Sequence, residues 1–543
     1  MRKNKLNHLF SIIIALSWMI GLVAPTSALA APAQVVEQAA PSLPPELTPT
    51  VEAELQQQIA VNPQVGYLIY FRDKADLASA ARMSWADKGL FVMDALKSTA
   101  ENSQANVIAY LDANHVQYKP FWIDNIIAVE ASDLNTFNGL LNFGEIETLR
   151  ARRTEYLIDP QVVPATEALT TVEPNIAHVK APEVWALGVN GSGMVVSSID
   201  TGVRYTHNAL VGKYRGNLGG GLFDHDYNWF DPYGDHPTSP GDDNGHGSHT
   251  MGTMLGDDGG ANQIGMAPGA EWMACRGCNT SSCTDTALLE CAEFIAAPTD
   301  LDGDNPDPTK RPNAVNNSWG DCGRAYDPWY QGVVNSWHAG GIYPIFSNGN
   351  SSNCGYTSPP PLNTVGNPAR YGNVTGVGAS GQSNGQYATF SNWGPTDNPD
   401  TVNPNPDDAF GAALKPQVLA PGSNIRSSVN TSDTAYEGGW SGTSMSAPHV
   451  TGLVALMWSA APCLVGDYAT TENIIENTAT PIPYNTGGTP PPPAGNVLNY
   501  ATGHGEINAL AAVTEALGSC GDSTLSGTVT DDVTTDPIEG ALV

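Results

Sequence analysis

One segment constrains this 543-residue chain more than any other, the run at 439–458 that reads GWSGTSMSAPHVTGLVALMW. Ser444 lies where a Gly-, Ser- and Thr-rich stretch passes into a long apolar run, which predicts a helix that begins beside this serine. The free N–H groups and the dipole at a helix N-terminus stabilise negative charge. A nucleophilic serine needs this position, together with a base and an oxyanion hole. The segment therefore predicts Ser444 as a nucleophile.

Two upstream segments supply a base and a residue to orient it. His246 lies between two glycines in DDNGHGSHTMGTML. Asp200 follows the apolar run from Met194 to Ile199, which predicts a buried parallel strand. Sites in open α/β sheets are built at the carboxyl ends of strands. Asp200 would then hold the tautomer of His246, and His246 would accept the Ser444 proton; Asp, His, Ser is a known chain order for this triad.

These motifs resemble those of the subtilisin-type serine proteases, in particular the bacillopeptidase F-like group. The resemblance rests on SSIDTG around Asp200, NGHGSHTMGT around His246 and SGTSMSAPHV around Ser444, with NNSWG at 316–320, IFSNGN at 345–350 and LKPQVLAPG at 414–422 between or beside them. It covers roughly residues 160–520, the size of one large domain. It implies an α/β protein with a subtilisin-like three-layer fold and a mostly parallel central sheet. Ser248 and Ser446 replace the usual threonine and alanine, and neither change affects a charged group.

The resemblance also implies the donors of the oxyanion hole. Apolar Ile342 to Phe346 predicts a short strand, which is followed by Ser-Asn-Gly-Asn. Asn350 is expected to donate to the oxyanion together with the Ser444 backbone N–H. Asn348 is the competing residue, and a role in the turn fits it better.

Peptide substrates of such proteases bind as an added strand. Residues 313–320 predict a strand and an edge, so Ser318, Trp319 and Gly320 are expected to line one side of the cleft. Gly366 resembles the glycine at the floor of the primary specificity pocket. We find no acidic residue there and expect a roomy apolar pocket with broad preference, which the long loop at 351–361 would reshape.

The N-terminus predicts export. Three basic residues precede an apolar stretch from Leu9 to Ala24 and the small-residue run Ser-Ala-Leu-Ala, which indicates a signal peptide over residues 1–30. A retained anchor helix is the alternative, although the stretch is short for a membrane span. We therefore expect a secreted, extracellular protein with no membrane span after signal removal. A net charge of −32 gives no electrostatic basis for binding nucleic acid or anionic lipid.

The segments around the catalytic region predict further domains. Residues 31–64 read as a linker, and the alternation of strands and helices over 65–153 predicts a small α+β domain. Two of its helices are expected at 77–98 and 105–114. Its pattern resembles the inhibitory, chaperone-like prosegment of the family, which would act as an intramolecular inhibitor. We expect a processing linker at 154–175, which would extend through the cleft as a substrate strand over 154–172. The catalytic domain is expected at 176–520 and the start of a truncated β-sandwich module at 521–543. Modules beyond Val543 would allow attachment to the cell surface.

Eight cysteines on an exported chain predict disulfides. We expect Cys322 to pair with Cys354, because both flank the cleft, and Cys463 to pair with Cys520, because they bracket the end of the catalytic domain. Four more cluster in one insertion at positions 275, 278, 283 and 291. Disulfides are favoured for this cluster because of export, and a zinc site is the alternative because of its C-x-x-C pair.

The chemistry requires no cofactor, but one segment resembles a calcium loop. Asp300, Asp302 and Asp304 alternate in DLDGDNPDP. Arg311 stands where the bidentate glutamate of such a loop is expected. A structural calcium site and a polar surface turn therefore stay as alternatives.

The sequence thus predicts a secreted serine endopeptidase that acts on proteins or peptides and is made as a self-processing zymogen. The alternative is a catalytically silent surface binding or adhesion protein on a protease scaffold. Retention of all four residues, Asp200, His246, Ser444 and Asn350, argues against that alternative.

Overall fold

The computed structural model describes residues 43–163, 171–396, 414–482 and 499–520. The predicted signal peptide and the predicted β-sandwich segment lie outside these ranges, as do 31–42 and 164–170 of the two predicted linkers. In chain order the described residues form a small α+β domain, a segment at 152–163 that we call the tail, and a large α/β domain.

The N-terminal domain, residues 50–151, is built on a five-stranded sheet with the order β1-β5-β2-β4-β3. Its elements are β1 (Thr50–Val51), α1 (Ala53–Val61), β2 (Tyr67–Phe71), α2 (Trp85–Ala113), β3 (Tyr118–Phe121), β4 (Ile126–Val129), α3 (Leu134–Leu140) and β5 (Ile146–Ala151). The central strand β2 reads YLIYF and is buried on both faces. Tyr67, Ile69 and Phe71 pack into the domain's own core, whereas Leu68 and Tyr70 pack toward the large domain.

Two expectations for this region need correction. Part of the predicted linker belongs to the domain, because β1 pairs with β5 and Leu55 of α1 is fully buried. The two predicted helices at 77–98 and 105–114 are one helix, α2, preceded by a short 3-10 turn. Ser103 and Gln104 look like loop residues in the sequence, but both are buried and hydrogen-bond to Asn125.

The large domain is organised around a seven-stranded, wholly parallel sheet with the order β11-β12-β8-β14-β16-β17-β18. The tail contributes β6 (Thr154–Leu157) and β7 (Gln161–Val162). The strands that follow are β8 (Val195–Ile199), β9 (Asn217–Gly219), β10 (Leu222–Phe223), β11 (Trp229–Phe230), β12 (Glu271–Cys275), β13 (Ser282–Thr284), β14 (Ala314–Asn317), β15 (Trp319–Gly320), β16 (Tyr343–Ser347), β17 (Thr375–Ser380), β18 (Val418–Pro421), β19 (Ile425–Ser428) and β20 (Tyr436–Ser441). The helices are α4 (Pro174–His178), α5 (Ala181–Trp185), α6 (His246–Leu255), α7 (Asp285–Ala296), α8 (Gln331–Gly340), α9 (Thr443–Ala460), α10 (Tyr468–Thr478) and α11 (Ala509–Ser519).

Helices cover both faces of this sheet. Helices α6, α9 and α11 pack in one apolar cluster, and α7 and α8 pack in a second cluster on the opposite face. Helix α9 is apolar nearly all round, as expected for a helix enclosed by other elements. The predicted three-layer α/β fold with a parallel central sheet is therefore confirmed.

The sheet of the N-terminal domain lies over α7 and α8. Leu68 and Ala128 share an apolar cluster with Leu288 of α7 and Val334 of α8. Polar contacts join the same surfaces, because the Ser336 hydroxyl donates to the Ile123 carbonyl at 2.8 Å. Among the described helices, none has both the length and the apolarity that a membrane span requires.

All eight cysteines form disulfides. The bonds are Cys275–Cys291, Cys278–Cys283, Cys322–Cys354 and Cys463–Cys520. Both pairings proposed from the sequence are confirmed. The four-cysteine cluster forms two disulfides, so its thiols do not constitute the zinc site considered as the alternative.

Candidate active site

Asp200 is fixed at the carboxyl end of β8, in the middle of the parallel sheet. Its side chain is fully buried, and its Oδ1 accepts a hydrogen bond from the Thr201 backbone N–H at 2.7 Å. The Thr250 hydroxyl donates to Oδ2 at 3.2 Å. The remaining contact of Oδ1 is His246 Nδ1, also at 2.7 Å. The carboxylate is therefore held by three partners and faces the imidazole ring.

His246 is the first residue of α6, and its position depends on the turn before it. Gly245 has φ of +99°, a conformation that strongly favours glycine. Asp242 holds this turn, because its Oδ1 accepts from the Gly245 backbone at 2.8 Å and its Oδ2 accepts from the Ser248 hydroxyl at 2.7 Å. The serine that replaces the usual threonine at 248 thus keeps a hydroxyl contact.

The charge around His246 favours its protonated form. Burial lowers its pKa, but the Asp200 carboxylate, with smaller contributions from Asp159 and Asp242, outweighs this and raises the pKa above 6.5. An imidazole that faces a carboxylate gains proton affinity, as a general base requires.

Ser444 lies in the first turn of α9, fully buried beneath the tail. Its hydroxyl donates to the Ile158 carbonyl at 2.6 Å. Within the described part of the chain, His246 Nε2 has no hydrogen-bond partner. The serine hydroxyl is therefore directed to a backbone carbonyl of the tail instead of to the imidazole.

Asn350 points its amide nitrogen into the same space. Its Oδ1 accepts hydrogen bonds from the Thr443 backbone N–H at 2.9 Å and from the Thr443 hydroxyl at 3.0 Å. These contacts orient the side chain so that Nδ2 donates to the Asp159 carbonyl at 3.1 Å. Asn348 instead donates to the Asn392 backbone at 3.2 Å, away from the tail.

The tail occupies the cleft as a central strand. β6 pairs antiparallel with both β13 and β15, forming a three-stranded sheet. The Ile158 N–H donates to the Ser318 carbonyl at 3.1 Å, and the register sets Trp319 opposite Leu157 and Gly320 opposite Tyr156. Beyond Ser444 the tail continues as β7, which pairs with β20. The three residues expected to line the cleft all contact a peptide strand there.

The tail lies across the site without full alignment for reaction. Ser444 contacts the carbonyl of Ile158, whereas Asn350 contacts the carbonyl of Asp159, the next residue. An oxyanion hole and a nucleophile must act on the same carbonyl group. A shift of the Ile158 carbonyl toward Asn350 is needed before its carbon meets both groups.

Gly366 lies against Asp321, and this region differs in one respect from the expectation. A Cβ at Gly366 would lie 2.3 Å from the Asp321 carbonyl oxygen, so the close approach requires glycine. Asp321 is an acidic residue in this region, contrary to the expectation. Both its carboxylate oxygens accept hydrogen bonds from Asn367, at 2.7 and 2.9 Å. Ile158 Cδ1 would lie 3.9 Å from a Cβ placed on Gly320, so an apolar side chain of the tail packs against Gly320.

The loop at 300–304 forms a hydrogen-bonded turn. Both carboxylate oxygens of Asp300 accept hydrogen bonds within the loop, from the Asp304 N–H and the Asn305 amide at 2.8 Å each. Asp302 and Asp304 are exposed, and the described residues contain no group of three or more His, Cys, Asp or Glu side chains arranged for a metal. The geometry fits the surface turn better than a calcium site, and calcium binding here stays an untested prediction.

Several functional contacts were not apparent from the sequence. His207 lies in a loop, where it is buried and its Nε2 is 2.8 Å from the Ala435 carbonyl. His249 and His449 are also buried. The role of Asp242 was missed, although its place four residues before His246 was a usable signal. The extended course of the tail beside β15 was expected, but its pairing with β13 was missed.

Comparisons with known proteins agree with this geometry. The sequence profile of the subtilase family of peptidases matches residues 191–505. Bacillopeptidase F of Bacillus subtilis (strain 168) is 35% identical over 95% of this chain, and the chain spans 36% of that relative's length. Subtilisin DY of Bacillus licheniformis is 30% identical over 57% of this chain and 92% of its own.

A solved structure supports the fold. Fervidolysin from Fervidobacterium pennivorans, described as a keratinolytic enzyme related to subtilisin, has a TM-score of 0.52 at 19% identity over 83% of this chain and 61% of its own. This likeness concerns the fold alone. With the family profile matched over more than half of the sequence, the chain belongs to the subtilase family.

Proposed function

We propose that this protein is a secreted serine endopeptidase, with Ser444 as nucleophile, His246 as general base and Asp200 as the residue that orients the base. The observation that carries the proposal is the peptide carbonyl of Ile158, 2.6 Å from the Ser444 hydroxyl, beside the His246–Asp200 pair. A peptide strand, a nucleophile and a carboxylate-supported imidazole at one point are what acyl transfer requires.

The proposed reaction has two halves. Ser444 Oγ attacks the carbonyl carbon while His246 Nε2 takes the hydroxyl proton, and Asp200 stabilises the imidazolium. The negative oxygen of the tetrahedral intermediate receives hydrogen bonds from the Asn350 amide and the Ser444 backbone N–H. The C–N bond then breaks as His246 gives its proton to the leaving amine, and water hydrolyses the resulting ester by the same route.

We also propose that the N-terminal domain and the tail keep the protein inactive as a zymogen that processes itself. The position of the tail through the cleft and the misaligned carbonyl contacts support this. The bond whose carbonyl contacts Ser444 joins Ile158 to Asp159, so self-processing would leave Asp159 as the new N-terminus. The secretory route rests on the predicted signal peptide.

The experiment compares wild-type protein with Ser444→Ala, and with Ser446→Ala as the matched control from the same helical turn. Wild type and the control should react with a serine-directed organophosphorus reagent, hydrolyse casein and begin at Asp159. The Ser444→Ala protein should do none of these and should keep its N-terminal domain.

The outcomes separate the parts of the proposal. Comparable hydrolysis by Ser444→Ala would exclude this serine as nucleophile. If Ser444→Ala is inactive but trimmed at the same place and rate, another protease makes the cut and self-processing is wrong. An unlabelled, inactive wild type would favour the silent binding protein considered from the sequence.

A further inference from the structure

Two arginines of the tail bind carboxylates of the large domain, away from the nucleophile. Arg152 lies against Asp285 at the first turn of α7, with Nε 3.0 and 2.9 Å from the two carboxylate oxygens and Nη2 2.7 Å from Oδ1. Thr286 adds a hydroxyl 3.3 Å from Nη2. The Asp285 side chain is only 1% exposed. The two-oxygen contact matches the planar fork of a guanidinium, which an ammonium cannot reproduce.

Arg153 makes a second pair with the large domain. Its Nη1 lies 2.7 Å from Oδ2 of Asp327, and Arg150 Nη2 lies 2.6 Å from Oδ1 of the same carboxylate. Glu52 of the N-terminal domain contacts both arginines as well. Asp285 and Asp327 therefore form a two-carboxylate surface that receives cationic side chains from the tail.

The backbone fixes where these arginines stand relative to the nucleophile. The ladder between the tail and β13 pairs Thr154 with Thr284 and continues one step further, because the Asp285 N–H donates to the Arg153 carbonyl at 3.1 Å. The Arg153 N–H in turn donates to Asp285 Oδ2 at 2.7 Å. A continuous strand thus runs from Arg153 to Ile158 in the direction of a bound peptide. Arg153 and Arg152 are the fifth and sixth residues before Ile158.

A third side chain of the tail shows that this part of the cleft is unfavourable for acidic side chains. Glu155 of the tail is 2% exposed, and within the described residues its Oε2 has no hydrogen-bond partner. Burial, and after it the Asp321 carboxylate, holds the Glu155 pKa well above its ordinary value; Arg153 acts in the opposite direction. An acidic side chain is therefore poorly matched to this part of the cleft.

We propose that Asp285 and Asp327 form a site in the mature protease that recognises arginine side chains of the substrate. These arginines lie five and six residues before the residue that supplies the carbonyl group of the cleaved bond. The inference rests on the proposed function, because it treats the tail as an occupant of the substrate cleft. Processing removes Arg152 and Arg153 with the N-terminal domain, and a buried carboxylate without its cation is unfavourable. An arginine-bearing substrate restores the lost pairs.

The test uses the full-chain protein after its own maturation and three chromogenic peptides. The first is acetyl-Arg-Arg-Thr-Glu-Tyr-Leu-Ile-p-nitroanilide, and the others carry Gln-Gln or Glu-Glu in place of Arg-Arg. We expect kcat/KM for the Arg peptide to exceed that for the Gln peptide by about tenfold or more, because charge-assisted bidentate contacts are the strong ones. The Glu peptide should be the poorest, and the preference should shrink as added salt screens the charges.

Enzyme variants assign the preference to the two carboxylates. Asp285→Asn and Asp327→Asn should each lower the Arg-to-Gln ratio toward one, and Asp327→Lys should improve the Glu peptide relative to the Arg peptide. Glu515→Gln, an exposed acid on α11, should leave the ratio unchanged. The Asp327 side chain is 15% exposed, against 1% for Asp285, so its variants keep the test decisive if Asp285→Asn does not fold.

Equal kcat/KM for the Arg and Gln peptides would overturn the inference while leaving the endopeptidase intact. So would an unchanged ratio in both carboxylate variants. Failure to cleave any peptide or casein would overturn the proposed function, and this inference with it.

Discussion

The Ser444 hydroxyl donates to a peptide carbonyl of the tail and not to the imidazole of His246. Because the hydroxyl donates to the Ile158 carbonyl at 2.6 Å, its proton points away from the imidazole. Within the described residues, His246 Nε2 has no hydrogen-bond partner. A bound peptide in reactive alignment must present its carbonyl carbon to Oγ, with its oxygen at Asn350. In the proposed reaction, the tail as it is bound here therefore differs from a reacting strand by about one carbonyl position.

Asn350 carries the first prediction at this scale. Replacing it with leucine should lower kcat by ~10²–10³ with little change in KM, because its amide acts chiefly on the oxyanion of the transition state. Thr443 holds the amide in place through two hydrogen bonds, so Thr443→Val should give a smaller loss of the same kind. Steady-state kinetics on one peptide measures both. A defect confined to KM would make Asn350 a binding residue only.

The second prediction concerns the protonation of His246. A protonated imidazole cannot accept the Ser444 proton, so activity is lost as the pH falls through the His246 pKa, which Asp200 and its neighbours hold above 6.5. The rate at saturating substrate should therefore decline on the acid side of the pH profile, as the pH falls through the His246 pKa. Asp200→Asn should move this decline to lower pH, since it removes the carboxylate that raises the His246 pKa. A profile that stays flat from about pH 5 to 9 would contradict a histidine base.

At the scale of residues, the candidate catalytic residues could be predicted from the sequence more readily than the residues that pack around them. Asp200, His246, Ser444 and Asn350 were identified from motifs, and the structure brings them together. Asp285 and Asp321 were not identified, because their hydrogen-bond partners, Arg152 and Asn367, lie far away in sequence. Long-range pairs of this kind are created by the fold and leave no local pattern.

At the scale of elements, apolar runs predicted the central strands because a parallel strand is buried on both faces. Met194 to Ile199 and Ile342 to Phe346 correspond closely to β8 and β16. The strand β6 was not predictable in this way, since Glu155 and Tyr156 give it no apolar character. Its extended form comes from backbone pairing with β13 and β15, which exists only once the cleft is built.

Helix α2 illustrates the opposite case. Its polar middle, around Ser103 and Gln104, predicted an interruption, because polar residues in sequence usually mark exposed positions. Both side chains are instead buried against Asn125, where hydrogen bonds offset the cost of removing them from water. Burial with a partner cannot be inferred from one sequence, so one long helix was predicted as two.

At the scale of the whole molecule, α7 links the N-terminal domain to the catalytic chemistry. Its outer face carries Glu293, whose Oε1 accepts hydrogen bonds from the backbone N–H groups of Trp122 at 2.5 Å and Ile123 at 3.2 Å. One turn earlier Glu290 pairs with Lys119 at 2.6 Å. The first turn of the same helix holds the tail through Asp285. One element thus contacts both the N-terminal domain and the strand that lies in the cleft.

We expect attachment of the N-terminal domain to depend on pH. Burial raises the Glu293 pKa to about 8, although the two N–H donors and Lys119 oppose the shift. When the domain lifts away, Glu293 returns to water and its pKa should fall toward the ordinary 4.5. The docked form then holds one more proton than the open form between these values. Docking is therefore strongest at low pH and weakens as the pH rises through that window, by up to about tenfold per pH unit.

Hydrogen exchange in the uncleaved Ser444→Ala protein measures this opening. After correction for intrinsic exchange rates, the amides of β3 and β4 should lose protection as the pH rises from about 5 to 8. Glu293→Gln keeps an acceptor for the two N–H groups but takes up no proton, so its pH slope should be smaller by about one proton. Some slope should remain, because burial also raises the pKa values of Asp124 and Glu155. Glu515→Gln, remote from this surface, should keep the full slope, and an unchanged slope in Glu293→Gln would rule out Glu293 as its source.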